Sequence, residues 1–137
     1  MSIDLGAVRV GLALSDLSGT IATPHQVIAR TKDDQSLISA ILALAEAEEV
    51  AEIIVGIPKS LKEENQVAEL KTLSFIEALQ KSTHLKIVGI DERFTTVLAA
   101  ARLRNSGLNS KTMKGKIDAA AAAEILQSYL DNRGNGK

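Results

Sequence analysis

The sequence predicts an α/β protein built on a mixed five-stranded sheet, three strands antiparallel and then two parallel, with helices on both faces. Three observations point there. Short apolar or alternating segments near the N-terminus follow one another after tight turns, as in an antiparallel meander. Two later runs, "EIIVGIP" and "LKIVGID", are continuously apolar, the mark of strands buried on both faces. Helical patterns precede and follow those runs, and parallel strands require such crossovers.

In chain order, "SIDLG" reads as a short strand and "RVGLALSD" as a second one a tight turn later. "GTIATPHQVIAR" gives the third, with Pro24 favouring an edge or a bend. Leu37, Ile38, Ile41, Leu44 and Ala45 then recur at helical spacing, with Asp33 or Asp34 placed to cap. Pro58 stops the "EIIVGIP" strand, and a helix from about Glu64 to Lys81 follows, carrying Val67, Leu70, Ser74 and Leu79. After "LKIVGID", Thr95 or Thr96 can cap a helix that runs to Gly107, where a C-terminal glycine is expected. Ser110 opens the last helix, expected to end near Leu130. The order is βββ-α-β-α-β-α-α in a single domain over residues 1–131, with "NRGNGK" over 132–137 as a flexible tail.

Composition removes several functions. The 137 residues contain no Cys, which excludes disulfides, Cys-ligated zinc and thiol catalysis. Two Phe, one Tyr and no Trp leave no aromatic platform for stacking single-stranded bases. The chain opens on "MSIDLG" without a basic leader or signal-type apolar run. No apolar stretch approaches the roughly 18 residues of a membrane span, so the cytoplasm is the expected compartment. The formal net charge is −1, but it is unevenly distributed. Between Arg93 and Ile117 there is no Asp or Glu, while Arg93, Arg102, Arg104, Lys111, Lys114 and Lys116 all fall there. Acidic residues gather between Glu46 and Glu77. One basic face for an anionic partner is the functional reading, and a solvated helix face the structural one.

The carboxylates are the sharper signal. In "IDAAAAA", Asp118 lies about 20° from Ile125, about 40° from Ala122 and about 20° from Tyr129 around a helix, so it heads the apolar stripe. A carboxylate there needs a cation or hydrogen bonds to meet it. Asp4 sits inside the first strand, and Gly6 follows on its face, small enough for a phosphate or metal to approach the backbone. Asp91 and Glu92 end the last strand and point to opposite faces, so only one joins a given site. Three carboxylates from distant positions suggest a hard-metal site for Mg²⁺ or Mn²⁺. The competing reading makes Asp4 a turn residue and Asp118 a charge favoured at a helix N-terminus.

"IDLGAVRVGLALSD", "VGIPKS", "DERFTT" and "KGKIDAAAAAEILQSYLD" stand in the order and spacing of the YqgF/RuvX family, and the chain resembles it from Ile3 to Asp131. The family resembles the RuvC branch of the ribonuclease H-like superfamily. The resemblance implies a ribonuclease H-like βββαβαβα fold and a nuclease. Its substrate would be the 5′ end of pre-16S ribosomal RNA or a Holliday junction, acted on by a monomer or a homodimer. It places metal ligands at Asp4, Glu92 and Asp118, with Glu92 favoured over Asp91, and Mg²⁺ or Mn²⁺ as cofactor. Arg9 and Arg93 become candidates to grip phosphate oxygens, since guanidinium forks match that geometry. For Arg93, orienting a nearby carboxylate is the alternative. Arg102, Arg104, Lys111, Lys114 and Lys116 would track a nucleic-acid backbone.

The sequence departs from the family in places. Val8-Arg9 leaves one cation where a basic pair is usual, "KSLKEENQ" replaces a glycine-bearing loop, and Leu98 stands where an acidic residue is common. None of these removes a candidate ligand. Two other classes remain: "DLG" before a hairpin also resembles the phosphate-binding hairpin of sugar kinases and actin-like ATPases, and a non-catalytic nucleic-acid-binding factor would share the basic segment. His25 and His84 are expected at the surface, and Ser15-Asp16 reads as turn chemistry.

Overall fold

In the computed structural model, five strands form one sheet: β1 (Ser2–Leu5), β2 (Arg9–Ser15), β3 (Ala22–Ala29), β4 (Glu52–Ile57) and β5 (Lys86–Asp91). Among the described residues three helices flank it: α1 (Asp34–Ala47), α2 (Glu63–Ser82) and α3 (Ser110–Asn135). The structure describes the backbone of residues 1–6, 8–30, 33–58, 63–91 and 110–135, with side chains described from 66 onward in α2 and over 119–132 in α3. The helix expected from Thr95 or Thr96 to Gly107 lies outside those residues.

Strand order is β3-β2-β1-β4-β5. β1 pairs antiparallel with β2 and β2 with β3, while β1 pairs parallel with β4 and β4 with β5. This is the predicted division into three antiparallel and two parallel strands. Pro24 sits on edge strand β3, where its missing N–H breaks no ladder bond. It does so at a bulge: Leu12 faces Gln26 and Ala13 faces Pro24, which leaves exposed His25 without an opposite residue.

Local chemistry shapes each connection. Gly6 donates its N–H to the Arg9 carbonyl at 3.0 Å, and a Cβ there would lie 2.5 Å from that oxygen. The glycine is thus required by the turn itself, whatever ligand approaches. At the β2–β3 hairpin the Asp16 carboxylate accepts from the Thr20 and Ile21 amides at 2.8 and 3.1 Å and from Ser18 Oγ at 2.8 Å. These bonds, the Thr20 amide foremost, hold its pKa below the ordinary carboxylate value, and the Ser15-Asp16 expectation of turn chemistry holds. Asp33 caps α1 by accepting from the Gln35 amide at 3.0 Å. That helix ends in paired bonds from Val50 N to Ala45 O and from Glu49 N to Glu46 O, with Glu49 at φ 56° in the place glycine usually takes.

Each face of the sheet carries its own core. Ile3, Val10, Leu12, Ile53 and Val55 pack under α1 and α2 against Leu37, Ile38, Ile41, Phe75 and Leu79. Ala13 and Ile54 pack under α3 against Ala122, Ile125, Leu126 and Leu130. Three expectations need correction. The "LKIVGID" run reads as a strand buried on both faces, but β5 lies at the edge of the described sheet and none of its residues is buried. Of the residues marked on the second helix only Leu79 is buried; Val67 and Leu70 are exposed, and Thr72, Phe75 and Ile76 take the inner face. Thr72 is tolerated there because its hydroxyl donates to the Ala68 carbonyl at 2.9 Å. α3 also runs through Asn135, past Leu130 and into the stretch assigned to a tail. A single helical glycine such as Gly134 costs only about 1 kcal/mol, which a helix anchored by packing tolerates. No helix among the described residues is long and apolar enough to cross a membrane.

Candidate active site

Strand alternation decides which residues share a face. Ser2 is fully buried, and its hydroxyl donates to the Ala122 carbonyl of α3. Asp4, two residues on, therefore lies on the α3 face of β1, half-buried, while Ile3 and Leu5 serve the opposite core. On β2, Ala13 packs under α3, so Gly11 and Arg9 share that face, and Gly11 is the residue opposite Asp4. On β4, Ile54 packs under α3, which puts Gly56 on that face, one step beyond the Ile3–Val55 pair. Asp4 thus stands between two glycines. Neither of these neighbours carries a side chain on the Asp4 face. Arg9, half-buried, is the diagonal neighbour of Asp4, within reach of a group held there.

The course of α3 follows from its bonds to the sheet. Gln127 accepts from the Ala22 amide and donates to the Thr20 carbonyl, both at 2.9 Å. The Tyr129 hydroxyl donates to Glu52 Oε2 at 2.9 Å. Glu52 begins β4 and lies before Ile54, the partner of Ser2. Moving from Ala122 to Tyr129 therefore moves toward the N-terminal ends of β1 and β4, so α3 runs antiparallel to both. Asp118 lies one turn before Ala122, about 6 Å back along the helix. Asp4 lies two residues after Ser2, about 7 Å along the strand. The two backbone positions are level.

The remaining predicted residues divide plainly. On β5, Val88 and Ile90 pack toward α3 and Ile87 toward the other core, so Asp91 belongs to the α1/α2 face. It reaches the same end of the sheet as Asp4, through its pairing with Ile57, but stands on the opposite side and does not join Asp4. Lys111, Lys114 and Lys116 belong to the N-terminal turns of α3, which continue past Asp118 beyond the C-terminal ends of the parallel strands. The side chains of these three lysines and of Asp118, and all of Glu92, Arg93, Arg102 and Arg104, lie outside the described residues. Among the described residues no three carboxylate or imidazole groups come together.

Sequence reasoning missed Gly11, Gly56 and Arg30. The two glycines carried a readable signal, since a lone glycine inside a strand marks a close approach. Arg30 carried none: its amide donates to the Val8 carbonyl at 2.8 Å and its guanidinium to the Gly6 carbonyl at 2.9 Å, pinning the turn that follows Asp4. The opposite end of the sheet differs in character. There a cavity of about 440 Å³ is lined by Asp16, Glu48, Glu49 and Glu52, a sign of charge that repels a polyanion.

A family model described as "RuvX: Holliday junction resolvase" matches residues 1–132. The chain belongs to the RuvX family. A relative from Rhodococcus erythropolis, named "Putative pre-16S rRNA nuclease", is 41% identical over 137 residues, covering 97% of this chain and 77% of its own. One of the same name from Leifsonia xyli subsp. xyli is 40% identical over 133 residues, covering 96% and 84%. Among solved structures, Thermus thermophilus RuvC in complex with a Holliday junction substrate superposes with a TM-score of 0.59 at 14% identity, covering 96% of this chain and 93% of the other. Fowlpox virus resolvase with its junction DNA gives 0.56 at 14% identity, with 96% of each chain covered. At that identity the likeness establishes the fold, and this RuvX-family chain has the RuvC-type, ribonuclease H-like architecture.

Proposed function

We propose that this protein is a metal-dependent endonuclease that hydrolyses phosphodiester bonds in the 5′-end maturation of pre-16S ribosomal RNA, a substrate that implies a cytoplasmic protein. The observation that carries the proposal is the Ser2–Ala122 hydrogen bond, from which Asp4 and the Asp118 backbone each lie a short step toward the same end of one sheet face, with Gly11 opposite Asp4. The names of the relatives at about 40% identity support RNA as the substrate.

Asp4, Glu92 and Asp118 would hold the cation. Asp91 falls on the α1/α2 face, away from Asp4, which leaves Glu92, the ligand that the family resemblance names, as the candidate. All-oxygen donors select a hard ion, Mg²⁺ or Mn²⁺. Such an ion would supply Lewis-acid polarisation of a phosphate oxygen. The chain's own groups do the rest. Arg9 grips a non-bridging oxygen beside Asp4, and the glycines admit the backbone. Arg93, Arg102, Arg104, Lys111, Lys114 and Lys116 follow neighbouring phosphates without reading sequence, so binding weakens as salt rises.

The family's description favours a second reading, resolution of DNA junctions. Two symmetric cuts would then demand a dimer with paired sites. Matched RNA-precursor and four-way-junction substrates, incubated with Mg²⁺ or Mn²⁺ alongside a measurement of oligomeric state, separate the two. Asp4→Asn and Asp118→Asn should each lower cleavage by about a thousandfold or more while the folded state keeps its stability. Wild-type protein that binds RNA yet cuts neither substrate in either metal would leave a non-catalytic binding factor as the answer.

A further inference from the structure

We infer that Ser2, Gln127 and Tyr129 are positioning residues: their hydrogen bonds set the axial register of α3 on the sheet and so hold Asp118 level with Asp4. This rests on the proposed pairing of those two carboxylates.

The need for such a device comes from the helix surface. Near Asp118 the buried residues are Ala119, Ala121 and Ala122, and alanines raise only shallow ridges; the large side chains that α3 packs on the sheet, Ile125, Leu126 and Leu130, lie further along it. A shallow surface resists sliding weakly, because few interlocked side chains must separate when it moves. A slip of one residue would shift α3 by about 1.5 Å and turn it by about 100°. Errors of about 1 Å in a reacting geometry can cost about a hundredfold in rate.

Polar bonds from three parts of the sheet oppose that slip. Ser2 holds Ala122 from β1, the same four-residue strand that carries Asp4. Gln127 uses both ends of its amide, on Ala22 and Thr20 at the start of β3, and its Nε2 also donates to Asp131 at 3.0 Å. Tyr129 holds Glu52 at the start of β4, and Lys86 braces the same carboxylate at 3.5 Å. The three anchoring positions on α3 fall between Ala122 and Tyr129. The part of α3 with Asp118, Lys116, Lys114 and Lys111 extends from this anchored half, so its placement is inherited from them.

Removing the Ser2 hydroxyl leaves the Ala122 carbonyl with its own helical partner, so register is affected more than stability. In Ser2→Ala, kcat on an RNA-precursor fragment should fall about tenfold to a hundredfold with KM within about twofold. Mn²⁺ affinity measured by calorimetry should weaken, and amide exchange over Asp118–Leu126 should quicken while β4 and β5 keep their protection. Gln127→Leu and Tyr129→Phe should show the same pattern with smaller losses as the bond moves away from Asp118. Lys81→Ala, which removes an exposed pair with Glu77, is the control and should change none of these. Unchanged exchange in α3 overturns the inference, as does activity that merely tracks thermal midpoint across the series. If wild type neither cuts RNA nor binds Mn²⁺ but Ser2→Ala still loosens α3, the register device stands and the site reading falls.

Discussion

The two faces of the sheet are held by different means. Under α1 and α2, large side chains interlock: Phe75, Ile38, Ile41 and Leu79 fill the space over Ile3, Leu12 and Ile53. Under α3, Ile125, Leu126 and Leu130 pack on Ala13 and Ile54, small Ala122 sits beside Ser2, and hydrogen bonds from Ser2, Gln127 and Tyr129 add directional anchors. The first face gives stability through buried area. The second gives up side-chain volume at the end of the helix near Asp4 and adds polar bonds to a smaller apolar core. Stability and function should therefore respond to different mutations.

The largest expected effect on stability lies on the first face. Phe75 is 1% exposed, and Phe75→Ala should destabilise the protein by about 3–5 kcal/mol through lost burial and the cavity left behind. Denaturant unfolding checks the size. Cleavage per folded molecule should stay near wild type, because Asp4 and the Asp118 position lie on the other face of the sheet. A loss of cleavage by the molecules that remain folded would break the division between the faces.

A smaller cost in stability with a larger cost in function is expected across the sheet. Ala122 has no exposed surface and touches β1 through Ser2. Ala122→Leu would force α3 away from the strand and cost about 1–3 kcal/mol as overpacking. Its cleavage rate should fall further than that of Phe75→Ala despite the milder destabilisation. Comparing both variants in one denaturation series and one cleavage assay tests the ordering directly.

The same contrast explains what the sequence made legible. The continuous apolar run of β4 was legible because both faces of that strand are covered, whereas β5 carries the same kind of run at the edge of the described sheet with none of its residues buried. Turn and cap chemistry at Asp16 and Asp33 was readable because each acts on residues within a few positions. The inner face of α2 was not, since Val67 and Leu70 carry helical spacing as well as Phe75 and Leu79 do, and only packing chooses between them. At the site, Asp4 and Asp118 stood out as charges in apolar surroundings, whereas Ser2 gave no hint of a partner 120 positions away. The sides taken by Asp91 and Gly56 needed the register of β4 with β5 and with β1, which pairing reveals and spacing does not.

The smallest effect should come from the cap of α1, on the stability face and remote from Asp4. Asp33 accepts from Ser36 Oγ at 2.8 Å and from the Gln35 amide at 3.0 Å, and these bonds, Ser36 first, lower its pKa from the ordinary carboxylate value. Protons therefore bind the unfolded chain more readily than the folded one in this range, and stability falls with acidity. The contribution is complete above the ordinary carboxylate pKa of about 4 and fades as pH drops through the depressed folded value. Asp33→Ala should thus lower the thermal midpoint slightly at neutral pH, and the gap from wild type should close on acidification through that window. Cleavage at neutral pH should change little: the first turn of α1 is linked to the turn after Asp4 through the 3.8 Å pair of Asp34 with Arg30, and Arg30 keeps its own bond to the Gly6 carbonyl. A gap in thermal midpoint that stayed constant from neutral pH to well below pH 4 would mean that the Asp33 side chain matters for packing rather than for its charge.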